Sequence, residues 1–83
     1  MPKGIIDSIK TEGRKKLRTL ESQARTAAAA RGGLTKNDFQ EIADAQELIA
    51  RDGRRMDVDQ NIEAALTRVT KLVEKILKRS TSD

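Results

Sequence analysis

Apolar residues recur at steps of three and four in three successive stretches of this chain, with glycines between the stretches. That spacing confines the chain to amphipathic helices packed on one another, because positions three and four apart share one side of a 3.6-residue turn. In the first stretch the row is Ile6, Ile9, Gly13, Leu17, Leu20, Ala24 and Ala27. It predicts a helix over about 4–30, bulky at its start and nearly flat through the alanines at its end, stopped by Gly32 and Gly33.

The second stretch carries the clearest start signal, "LTKNDF". Thr35 as N-cap accepts from the amide of Asp38, Asp38 reaches back in a short-armed capping box, and Leu34 and Phe39 stand at the positions of a hydrophobic staple. The apolar row continues through Ile42, Ala43 and Ile49, with Ala45 and Leu48 beside it, and Asp52-Gly53 ends a helix over about 36–52. A third helix over about 57–79 opens at Asp57 as N-cap, with Gln60 in the reciprocal place, and gathers acids at its start and cations at its end, as the helix dipole favours. In heptad terms a holds Ile62, Val69 and Ile76, d holds Ala65 and Leu72, and e holds Leu66 and Val73. That stripe is wider than a two-stranded seam needs, so a bundle of three or four helices is expected.

The connections are short enough to set sequential helices antiparallel. The expected architecture is therefore a single all-α domain over 1–83, a small antiparallel three-helix bundle or extended helical hairpin, with residues 80–83 a disordered tail. Seven Ile, seven Leu, three Val and one Phe make about 22 % large apolar residues, close to the roughly 20 % below which chains tend not to fold. With no cysteine, order rests on packing alone. So thin a core implies burial against a copy of itself or a partner, through the third helix (Ile62, Leu66, Val69, Leu72, Val73 and Ile76) or the alanine-rich end of the first.

No apolar run approaches the length of a membrane span or a secretory signal, and a soluble, cytoplasmic protein is expected. Histidine, cysteine and tyrosine are all absent, which removes the commonest nucleophiles and tuned acid–base groups, so neither catalysis nor a cofactor is expected. "DVDQN" offers Asp57, Asp59 and Asn61 at the first spacings of a calcium loop, but Ile62 stands where glycine is needed and Arg68 where a bidentate Glu belongs. No metal is expected there. A helix-turn-helix centred on Gly53 would open its recognition helix with Asp57 and Asp59, acids aimed at phosphates. The lone "RGG" reads as an arginine before a helix stop.

Charge is uneven: residues 1–33 carry eight cations against three acids, 34–53 two against five, and 54–83 seven against five. An acidic middle between basic ends suits an internally complementary bundle and weakens the inference from basicity to nucleic acid. Projected at 100° per residue, Lys3, Lys10, Arg14, Arg18 and Arg25 fall on one row beside the apolar stripe, diluted by Asp7 and Glu21. The first reading of this row is a solvated face with Glu21 pairing to Arg25 and Glu12 to Lys16. Lys10, Arg14, Arg18 and Arg25 are the residues through which it would contact an acidic partner or nucleic acid, with no aromatic among them to stack a base. The function expected is non-enzymatic binding of another protein, as adaptor, inhibitor or small structural subunit, with nucleic-acid binding through the basic row as the alternative.

Overall fold

The computed structural model describes residues 4–79, which form three helices packed against one another: α1 (Gly4–Ala29), α2 (Lys36–Ala50) and α3 (Arg55–Leu77). The expected all-α three-helix bundle is what the chain forms, and the disordered tail expected at 80–83 lies outside the described residues. α2 runs antiparallel to both neighbours, since Lys10 near the start of α1 meets Asp52 just past the end of α2, and Asp38 at the start of α2 meets Arg79 just past α3. α1 and α3 are consequently parallel, with Gly13 against Ile62 at one end and Arg31 against Arg79 at the other.

The helix boundaries follow local chemistry. α1 closes as expected: the amide of Gly33 donates to the carbonyl of Ala28 at 2.7 Å, while Gly32 and Gly33 take φ values of 94° and 90° that side chains avoid. The capping box of α2 is complete, with the Asp38 amide donating to Thr35 Oγ1 at 3.1 Å and the Thr35 amide to Asp38 Oδ2 at 2.9 Å. Two expectations need correction. α2 ends at Ala50, before Asp52-Gly53, because Arg51 is already extended (ψ 141°), and Gly53 has no left-handed φ. α3 is capped by Arg54 and not by Asp57, which sits at N3 and accepts from the Arg54 amide at 3.4 Å. An arginine side chain has no acceptor to return, so this box is only half made.

The core is a single cluster in which α3 is the hub, burying Val58, Ile62, Ala65, Val69, Leu72, Val73 and Ile76 against Leu17, Ala24, Ala27 and Ala28 of α1 and Ile42, Ala45 and Ile49 of α2. Small residues of α1 face larger ones of α3, which brings the two parallel helices close. At Gly13 the approach is closest: a Cβ there would lie 2.9 Å from Ile62 Cγ2.

This packing revises the expected self-association faces. Ile62, Val69, Leu72, Val73 and Ile76 are spent inside the chain's own core, and only Leu66 of that set stays half-buried. Of the alanine-rich end of α1, Ala24, Ala27 and Ala28 are likewise covered, while Ala29 and Ala30 stay exposed. The wide a/d/e stripe is accounted for by one helix serving two neighbours within the same chain.

Candidate interaction surfaces

Three regions hold the charged and apolar groups that the fold leaves to be explained. The first is the end of the bundle where α2 begins and α3 stops. Asp38, completely buried, accepts from Arg79 Nη2 at 2.7 Å and Nη1 at 2.8 Å, a bidentate pair. The Arg79 guanidinium, helped by the Thr35 hydrogen bonds and opposed by burial, holds the Asp38 carboxyl down at about 2. The same partnership raises Arg79. Arg31 completes the end: Nη1 donates to the Ala27 carbonyl at 2.8 Å and Nε to the Arg79 carbonyl at 3.2 Å, placing one cation over the C-terminal ends of two parallel helices. The arginine of "RGG" is thus a structural cap. The capping signal in "LTKNDF" pointed to the Thr35–Asp38 half of this lock, whereas Arg79, 41 residues away, carried no sequence signal beyond a favourable charge for a helix end.

The second region is the basic row of α1, which the structure splits. Lys10 is buried along its stem and pairs with Asp52 Oδ1 at 3.1 Å, so it is not a contact residue on an open surface. Arg14, Arg18 and Arg25 are exposed, and none of them forms an ion pair with a carboxylate among the described residues. The pairs expected of Glu21 with Arg25 and of Glu12 with Lys16 are not made. Glu21 instead accepts from Gln46 Nε2 at 3.1 Å across the α1–α2 boundary. The expected ion-paired face is therefore a row of three unpaired guanidinium groups, beside a groove that Arg14, Leu17 and Arg18 share with Gln46 and Ile49.

The third region is the groove between α1 and α3, which sequence reasoning did not single out. One trough, of about 540 Å³, is lined by Ile5, Ile9, Gly13 and Ile62 with Glu12, Lys16 and Asp59 at its rim. A second opens towards the other end over Ala27, Val73 and Leu77, flanked by Ser22, Gln23 and Thr26. Half-buried Leu66, four residues after Ile62 and seven before Val73, continues the row between them, as Leu20 does on α1 between Gly13 and Ala27. Ile5 and Leu77 remain 58 % and 53 % exposed. The signal was present in the expected row of α1, but which flank of that row stays open depends on where α3 docks.

Among the described residues no cluster of His, Cys, Asp or Glu could hold a metal ion, and Asp57 of the calcium-like "DVDQN" is engaged in the cap of α3. Among the same residues no helix is long and apolar enough to cross a membrane. Compared with protein-family models, with curated proteins and with solved structures, the chain matches none.

Proposed function

We propose that this chain is a non-enzymatic binding protein whose α1–α3 groove receives an amphipathic helix of another protein. The observation that supports it is the pair of apolar troughs along the α1–α3 boundary, one beside Ile5 and Ile9 and the other beside Leu77, with half-buried Leu20 and Leu66 on the same faces between them and Ile5 and Leu77 exposed at the two ends. A helix laid into it would add a fourth element and relieve the shortage of core that the composition implies. The rim of the trough beside Ile5 carries Glu12 and Asp59 against Lys16, so an occupant with cations flanking its apolar stripe fits best. The lack of His, Cys and Tyr supports binding over catalysis.

The test compares affinity capture from the native host by the unaltered chain, by an Ile5→Glu/Leu77→Glu variant and by an Arg14→Glu/Arg18→Glu variant. Both pairs are exposed, so each variant should keep its helical circular dichroism and melting temperature. A partner retained by the arginine variant and lost by the groove variant supports the reading; a partner indifferent to the groove variant sinks it. Light scattering on the same proteins shows whether the occupant is instead a second copy, which would appear as a dimer that Ile5→Glu/Leu77→Glu dissociates.

A further inference from the structure

We infer that the opposite edge of α1, where it meets α2, binds single-stranded nucleic acid, with Arg14, Arg18, Arg25 and Lys36 holding phosphates and Phe39 stacking a base. This surface is independent of the α1–α3 groove. Phe39, the one aromatic residue of the chain, is 55 % exposed even though it stands at the staple position, while Leu34 packs on the core. The exposed ring leaves a face free for a ligand to stack on.

Its position follows from the contact between Glu21 and Gln46, which fixes where the antiparallel helices α1 and α2 face each other. Phe39 lies seven residues before Gln46, hence on the same side of α2 and about 10 Å along the axis. Arg25 lies four residues after Glu21 on α1, about 6 Å in the same direction because the helices run oppositely. Phe39 and Arg25 therefore share one edge at nearly one level. Lys36, exposed, stands one turn before Phe39. Arg18 and Arg14 continue the edge about 4 Å and 10 Å the other way, making a track of roughly 20 Å, enough for about four nucleotides.

Charge and shape favour a single strand. Between Arg14 and Phe39 four cations face one acid, Glu21, which is half-buried and already accepts from Gln46, and Asp7 lies two turns outside that stretch. The cations lie along the flank of a helix backed by two others, which suits a flexible backbone laid across it better than insertion into a duplex groove. An exposed ring stacks on an unpaired base but finds no open base face on a duplex. The sequence alone showed a cation row without an aromatic; the fold supplies one from a different helix.

Fluorescence polarisation with an oligothymidine of about 20 nucleotides, against a duplex of the same length, tests this at low salt. The oligothymidine should bind more tightly than the duplex, and a fourfold rise in salt should weaken it about 50-fold, as for roughly four phosphate contacts on a single strand. Phe39→Ala should weaken binding about fivefold or more, and Arg14→Glu/Arg18→Glu tenfold or more. Lys71→Glu/Lys75→Glu, the same charge change at exposed positions of α3, should stay within about threefold. Any one of four results overturns the proposal: no binding at low salt, preference for the duplex, equal loss from the two charge reversals, or competition by polyglutamate with Phe39→Ala silent. The last would mark the edge as a contact for an acidic protein.

Discussion

Asp38 at the start of α2 and Arg79 beyond the end of α3 are joined by two hydrogen bonds of 2.7 and 2.8 Å, with the carboxylate completely buried. The pair ties the first turn of α2 to the chain just past the end of α3, and its aspartate also closes the Thr35 capping box. Asp38 therefore serves local and long-range structure with the same two oxygens.

Removing the cation should cost more than the pair itself contributes. Arg79→Ala leaves a buried carboxylate facing only the Thr35 amide, and about 2–3 kcal/mol of stability should disappear in urea titration, with Arg79→Lys recovering only part because one ammonium cannot serve both oxygens. Asp38→Ala should be at least as damaging, since it also deletes the cap.

Acid should act through the same carboxyl. Its folded value is held at about 2, below the ordinary 3.8, so the contribution is complete above the unfolded value and is lost as pH falls through the folded one. Stability measured by denaturant titration should therefore drop between about pH 4 and pH 2 by roughly 2 kcal/mol from this group, and Asp38→Asn should flatten that part of the profile.

Neighbouring residues on α3 should respond in opposite ways. Ile76 is fully buried and Leu77 is 53 % exposed, so Ile76→Ala should destabilise by about 3 kcal/mol while Leu77→Ala changes the unfolding midpoint by less than about 0.5 kcal/mol equivalent. Val69→Asp should unfold the single chain, because Val69 is interior to one copy.

Gly13 sets the distance between the parallel helices. Alanine there gains about 1 kcal/mol of helix propensity but meets Ile62 at 2.9 Å, and overpacking should win, for a net loss of about 1 kcal/mol. In a double-mutant cycle, Ile62→Ala should cost less in the Gly13→Ala background than in the unaltered chain, because the added methyl fills part of the space.

Lys10 tests whether its stem or its charge matters. Its pairing partner Asp52 is fully exposed, so Lys10→Met, which keeps the stem, should stay within about 0.5 kcal/mol by thermal melting, while Lys10→Ala should lose more through packing.

Much of this architecture could be read from near neighbours in the chain. The Gly32-Gly33 stop, the Thr35–Asp38 capping box and the three apolar rows depend on residues within a turn or two of one another, and local hydrogen bonding and the 3.6-residue period act at that range. The start of α3 was misplaced by two residues because Asp57 suits the N-cap and N3 positions equally, and only the path of the chain after Ala50 selects N3.

The surfaces were less legible, for a different reason. Ile62, Val69, Leu72, Val73 and Ile76 form the same stripe whether they meet a second chain or their own α1 and α2, and Lys10 and Arg14 are neighbours on one row although only Lys10 turns inward. Residue order sets which side chains share a helix face. How each helix is rotated and where it docks comes from contacts such as Gly13 with Ile62 and Asp38 with Arg79, made between groups more than forty residues apart. Those contacts decide which faces are buried, bring Phe39 to the edge that carries Arg25, and leave the α1–α3 groove open, because burial is a property of the packed molecule and not of any one helix.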